Sequence, residues 1–411
     1  MKLFSAYKSL KYYEISEQVL LVLFATTLPV WWRLSLLILY LLLANLIVKI
    51  VATRHIGNSS LRKASLAAWV PVLAFVAMYA ISLSYSEDLA QGYKSIERHL
   101  TFVAMALFFL LSNLSYMRRR HIHIMLNAMT LALILRFLVL LCVSAYSYLF
   151  VHHDIQLIIG SHFDPMHHSY LSLYILLSIA FLYSLLKKNN SRRKTTVLLL
   201  AIALLAVYIF LIQARMGLLL LLLFLIVALV HQIIAHQRLM VCLIVIVLLE
   251  SVAVAMVHTA PLMTQRFVNL STVISNSHDN DVRYSIMDAS ISIIRQSPVF
   301  GVGAGDINDA LSVEYQRRNL VIDMFTPHNQ YLETLICTGV FGLAFLLTML
   351  LVPLIQGIRS KNTLMVAFIV LVAIGSLTES ILERQMGILF FCFFLGLLPH
   401  LTTSSESGET Y

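Results

Sequence analysis

Long apolar runs divide this chain, and their lengths limit what it can fold into more than any other feature. Twelve of them approach the roughly 20 residues that a helix needs to cross a bilayer core. They lie near positions 15–31, 34–52, 66–84, 99–116, 122–150, 167–186, 195–213, 216–234, 239–258, 330–356, 362–380 and 386–402. An all-α polytopic membrane protein with about 12 transmembrane helices is therefore expected. Composition agrees, with 60% hydrophobic residues and a mean hydropathy of +0.86. The first run is expected to serve for targeting, since no cleavable signal is evident. Cys142, Cys242, Cys337 and Cys392 fall within or beside apolar runs without metal or pairing spacing, which suits packing residues.

The basic residues set an orientation. With the N-terminus inside, eighteen Lys and Arg fall on cytoplasmic segments, among them Arg118–Arg120 and the cluster from Lys187 to Lys194. The short outer loops hold five: Arg33, Lys94, Arg98, Arg215 and Arg384. Positive charge is retained on the cytoplasmic side, so both termini are expected inside, with residues 403–411 a disordered tail. A net charge of +9 would suggest nucleic acid in a soluble protein. Distributed this way it meets membrane lipid instead, and no nucleic-acid partner is expected.

Between the ninth and tenth runs lies a polar stretch of 72 residues, Thr259 to Gln330. The chain thus reads as residues 1–258 with helices one to nine, an outward-facing loop 259–329, and residues 330–402 with helices ten to twelve. Val282–Gln296 has an apolar helical period through Ile286, Ile293 and Ile294. Ser297 to Gly305 reads as a Pro-Gly turn, and Asp306–Asn319 as a second helix. Loops this long are rare unless functional or disordered, and the periodic segments point to function, the cap of an active site.

Three residues could carry chemistry there. Arg215 stands between two runs almost without a turn, where it either snorkels to headgroups or binds an anion in a bidentate fork. Arg283 begins the first loop helix, where a solvated charge is the plain alternative. His328 follows Pro327, with Thr326 expected as N-cap and the proline at the first helical position. Imidazole would then sit at the positive end of a helix, as a base near phosphate or as a capping residue. Arg136 and Glu250 fall inside runs, and a structural ion pair between them is expected. His152 to His168 is rich in imidazole and carboxylate but fits an interfacial or sugar-contacting loop better than a metal site. Glu87-Asp88 could form an acidic metal site in an outer loop.

Gln-Ala-Arg215-Met-Gly, Val-Arg283-Tyr, Ser-Pro-Val-Phe-Gly-Val-Gly and Pro-His328-Asn-Gln-Tyr-Leu-Glu together resemble the O-antigen ligase family, as does the closing Glu379-Ser-Ile-Leu-Glu383-Arg-Gln-Met-Gly. The resemblance covers about residues 195 to 390. It implies a GT-C-like glycosyltransferase without metal or other cofactor, working at the periplasmic face of a bacterial inner membrane, with 259–329 as its periplasmic catalytic loop. Its donor would be a glycan on undecaprenyl pyrophosphate and its acceptor lipid A–core. Arg215 and Arg283 would hold the pyrophosphate, and His328 would deprotonate the acceptor hydroxyl for inverting attack. A polymerase of the same family, whose acceptor is a growing lipid-linked glycan, is the nearest alternative. A protein-glycosylating relative comes next, and a transporter or flippase is more remote.

Overall fold

The computed structural model describes residues 2–53, 62–112, 114–152, 163–164, 166–189, 191–234, 282–318, 320 and 326–403, and every regular element among them is helical. In chain order the first helices are α1 (Lys2–Thr27), α2 (Trp32–Thr53), α3 (Arg62–Ser82), α4 (Leu89–Leu111) and α5 (Arg119–Ser147). Then come α6 (His168–Lys188), α7 (Arg192–Leu211), α8 (Arg215–Ile234), α9 (Val282–Gln296) and α10 (Ile307–Arg317). The last are α11 (Gln330–Arg359), α12 (Thr363–Gly375), α13 (Gln385–Leu397) and α14 (His400–Thr403). Of the expected apolar runs, all but 239–258 fall on helices, and that one lies outside the described residues, as does Glu250. Among the described residues, five helices are long and apolar enough to cross a membrane. The chain is an all-helical polytopic membrane protein.

The helices form two compact units, Met1–Ala132 with Ile286–Tyr411, and Leu133–Ser285. In the first unit, α2 buries Ile38, Leu39, Leu42 and Leu46 and exposes Leu37, Leu41, Ile47 and Val51. A helix apolar on every side belongs in lipid, because in water its outer face would be costly. One end of this unit is pinned by the fully buried Glu17. Its carboxylate accepts from Lys49 Nζ (2.9 Å), Ser112 Oγ (3.0 Å) and Tyr116 OH (2.8 Å), so the buried charge is both paired and hydrogen-bonded. Aromatic rings fill the centre: Phe75 meets Tyr79, His99 and Phe102, His99 stacks on Phe102, and Phe102 leads on to Phe391 and Phe368.

The loop helices form at the expected places, Val282–Gln296 and Ile307–Arg317. The period read from sequence is the buried face of α9: Ile286, Ala289 and Ile293 are covered, whereas Met287 and Asp288 are exposed. Arg318 latches α10 to α9, pairing with Asp288 and lying 3.3 Å from Glu314. Burial pushes the Glu314 carboxyl up, but hydrogen bonds from Gln296 and Arg318 outweigh it and hold this carboxyl below the usual carboxylate range.

In the second unit, Arg136 forms a bidentate pair with Asp164, through Nε at 2.9 Å and Nη2 at 2.6 Å. Asp164 also accepts from Met166 N (2.8 Å) and from the Tyr208 hydroxyl, so it ties the entry of α6 to α5 and α7. A carboxylate from the histidine-rich stretch therefore partners the intramembrane arginine. Most of that stretch, residues 153–162 and 165, lies outside the described residues.

Candidate active site

The tenth apolar run is one continuous period in sequence, yet it does not form one continuous helix. Gly339 has φ 64° and ψ −159°, far from helical values, and it splits α11 into Gln330–Thr338 and Val340–Arg359. The halves fold back on each other. A Cβ on Gly342 would stand 3.3 Å from Thr334 Cγ2, a residue eight positions earlier and about 12 Å away along an unbroken helix.

The Ser297–Asp306 turn seals the break. Val302 N donates to Ile336 O (2.7 Å), Gly303 N to Cys337 O (3.1 Å), and Val340 N to Pro298 O (3.0 Å). These bonds satisfy backbone groups that a broken helix would leave bare, which matters most inside a membrane. Gly301 (φ 73°) is needed because a Cβ there would meet Ile336 O at 2.4 Å. From the other side the α3–α4 loop clamps this turn. Ser82 and Ser86 hydroxyls accept from Ala304 N (3.1 Å) and Gly305 N (3.2 Å), and Asp306 accepts from Glu87 N (2.9 Å) and Asp88 N (2.8 Å). Asp88 itself caps α4 by accepting from Gln91 N at 2.9 Å. The pair read as a possible metal site thus has architectural work in its backbone amides and in the Asp88 side chain.

The fold-back carries the start of α11 inward along α3. Gln330 lies beside Tyr79 and Glu383, whereas Cys337 lies beside Gly303 in the turn that Ser86 clamps. His328 therefore stands near the level of Tyr79 and His99, roughly 13 Å along the first half-helix from the Gly339 bend. The α12–α13 hairpin meets it there. Its helices have 13 residues each, about 20 Å, short of the ~30 Å hydrocarbon core, so the Ser376–Arg384 turn lies deep. Gln385, just past that turn, accepts from Thr101 Oγ1 (2.9 Å), well inside α4.

Residues 328 to 331 are stitched to this hairpin one after another. His328 Nδ1 lies 3.1 Å from Glu379 Oε1, Asn329 Nδ2 donates to Leu377 O (3.0 Å), Gln330 N to Ser376 O (2.8 Å), and Tyr331 OH to Ala373 O (2.8 Å). Leu382 N donates back to Gln330 Oε1 at 2.7 Å. The expected cap is corrected here. Asn329, not Thr326, is the N-cap of α11, accepting from Tyr331 N (2.9 Å) and Leu332 N (3.1 Å), and Pro327 stands outside the helix. His328 precedes the cap with φ 49°, a left-handed backbone that a histidine holds only when its surroundings fix it. A capping role for the imidazole is thereby removed, because Asn329 performs it.

Behind His328 lies a buried polar cluster that sequence reading did not assemble. Glu383 accepts from Tyr79 OH (2.6 Å), with His99 Nε2 at 3.5 Å and Gln330 Nε2 at 3.4 Å. His99 Nδ1 donates to Ser95 O at 2.8 Å. Glu333, only 6% exposed, completes it from the first half of α11. The available signal was the spacing of acidic residues at 333, 379 and 383 in otherwise apolar segments, where a charge must find a partner.

The two arginines belong to the second unit. Arg215 is the first residue of α8, and Arg283 lies in the first turn of α9. The α7–α8 connection is tight, with Ile212 N bonded to Tyr208 O (3.1 Å), Gln213 at φ 52°, and Leu218 N bonded to Ala214 O (2.8 Å). A Cβ on Gly217 would lie 2.6 Å from Ser172 Cβ, so the head of α8 packs directly on α6. The position of Arg215 at a helix start is thus set by close packing.

Fold and site together define a polytopic, all-helical membrane protein with a part-buried imidazole–carboxylate pair held between the head of a broken helix and a neighbouring hairpin turn. Residues 200–347 match the family model described as O-Antigen ligase, and over this segment the chain is similar to that family. Arg215, Arg283 and His328 all lie within the matched residues, and Glu379 and Glu383 lie beyond them. No curated protein was found to match the chain. The family consists of glycosyltransferase-like enzymes that act on lipid-linked glycans and lipid acceptors.

Proposed function

We propose that this protein is an O-antigen ligase that moves a preassembled glycan from undecaprenyl pyrophosphate to lipid A–core at the periplasmic face of the inner membrane. The observation that carries the reading is His328, held through Nδ1 by Glu379 inside the family-matched region. With Nδ1 engaged, Nε2 is the ring nitrogen left to take a proton. In the reaction the acceptor hydroxyl gives its proton to His328 Nε2 while its oxygen attacks the anomeric carbon of the donor sugar. The bond from that carbon to the pyrophosphate oxygen breaks, and the leaving group carries away the negative charge.

Arg215 and Arg283 are the proposed partners of that charge. Two guanidiniums in a water-poor site can stabilise a leaving pyrophosphate by bidentate bonds, with no metal required for the step. The neutral hydroxyl still needs a base, which His328 supplies. A reaction centre set into the membrane suits both substrates, because each is tethered to a lipid. The fold-back of α11 supports this placement, since it brings His328 inward from the Gly339 bend.

Gel profiling of lipopolysaccharide from a deletion strain tests the reading. A ligase predicts lipid A–core without O-chain while lipid-linked polymer still accumulates. A core bearing a single repeat would instead identify a polymerase, and an unchanged profile would refute both.

A further inference from the structure

We infer that Glu379 is the positioning residue of His328, fixing the tautomer in which Nδ1 carries the proton and Nε2 is free to accept one. The inference rests on the reading of His328 as the base. Glu379 lies 51 residues further along the chain, and its Oε1 is 3.1 Å from His328 Nδ1. An ionised carboxylate only accepts hydrogen bonds, so this contact requires a hydrogen on Nδ1. The side chains are 23% and 11% exposed, and a charge-assisted bond is stronger in such a place than in open water.

The surroundings fix the pair from both sides. The histidine backbone is held left-handed at φ 49° beside a capped helix start. The carboxylate turn is tied down by Asn329 to Leu377 O (3.0 Å), Gln330 N to Ser376 O (2.8 Å) and Leu382 N to Gln330 Oε1 (2.7 Å). Such a framework orients a ring more narrowly than a single hydrogen bond could. During attack the proton goes from the acceptor oxygen to Nε2 and remains on the imidazole. Glu379 takes up no proton and offsets the positive charge that the ring acquires.

The test uses the full-length protein in nanodiscs, with E379A, E379Q, E379D and H328Q. The probes are the undecaprenyl-pyrophosphate-linked glycan and purified lipid A–core. Single-turnover transfer by E379A should fall at least about 10-fold, and by no more than the ~10²- to 10⁴-fold that the base itself provides. Donor binding should not change. E379Q, which keeps the side-chain volume, should also lose rate, while E379D should recover part of it. In ¹⁵N-histidine spectra, with His328 assigned by its loss in H328Q, E379A should shift the ring toward the Nε2–H tautomer. Adding E379A to H328Q should lower transfer no further, because the two act as one unit. An inactive H328Q beside E379A and E379Q of wild-type rate and tautomer would overturn the positioning role alone. A fully active H328Q would overturn the base assignment beneath it.

Discussion

Replacing Gly339 with alanine tests whether the broken helix holds the site together. Gly339 has φ 64° and ψ −159°, a region open essentially to glycine, and an alanine there should cost about 1–3 kcal/mol in backbone strain. Its Cβ would lie 2.1 Å from Val299 O, so the Ser297–Asp306 turn would have to move away. That movement breaks the bonds from Val302 to Ile336 O, from Gly303 to Cys337 O and from Val340 to Pro298 O, at about 1 kcal/mol each. The combined loss, roughly 4–6 kcal/mol, is comparable to the ~5–15 kcal/mol that stabilises a typical fold. G339A should therefore show a lowered thermal midpoint in detergent, rapid protease cleavage within the turn, and little transfer. Gly357→Ala is the control. Its Cβ would meet only side-chain atoms of Val366 and Met365 at 3.1–3.3 Å, so near-native stability is expected. G339A with a native midpoint and a protease-resistant turn would refute the reasoning.

Arg215→Lys and Arg283→Lys keep the charge but lose the fork, so each should slow transfer by about 30- to 1000-fold, roughly 2–4 kcal/mol of barrier, and weaken donor binding; full activity in correctly inserted proteins would reduce both to topology charges. His328→Gln and His328→Ala should be comparably inactive in single-turnover transfer while still binding donor, with about 10²- to 10⁴-fold lost. Asn329→Ala should cost about 1 kcal/mol in thermal unfolding by removing the cap, whereas Asn329→Ser should restore most of it; equal stability of the two would refute the cap assignment.

The length and polarity of its segments made much of this protein legible. Apolar runs near 20 residues marked helices because backbone groups in lipid must be satisfied within the segment. The period through Ile286, Ile293 and Ile294 located α9, since the face that packs must be apolar. His328 stood out because it follows Pro327 where a polar stretch meets an apolar run, and Arg136 because a charge in an apolar run needs a partner.

Tertiary structure decided what those residues do together. The tenth run has an unbroken apolar period, and nothing in periodicity distinguishes a straight helix from one folded back at Gly339. The glycine permits the bend, but the Ser297–Asp306 turn supplies the bonds that stabilise it. Caps are likewise settled by geometry: Thr326 and Asn329 both qualify by residue type, and only the chain path shows that Asn329 reaches the free amides. The partners of Arg136 and His328 come from distant segments, Asp164 and Glu379, because several carboxylates could serve each and only packing selects one. Local sequence determined where helices form and which side chains need partners. Long-range contacts determined which partners they find, because those contacts depend on how the helices are arranged in space.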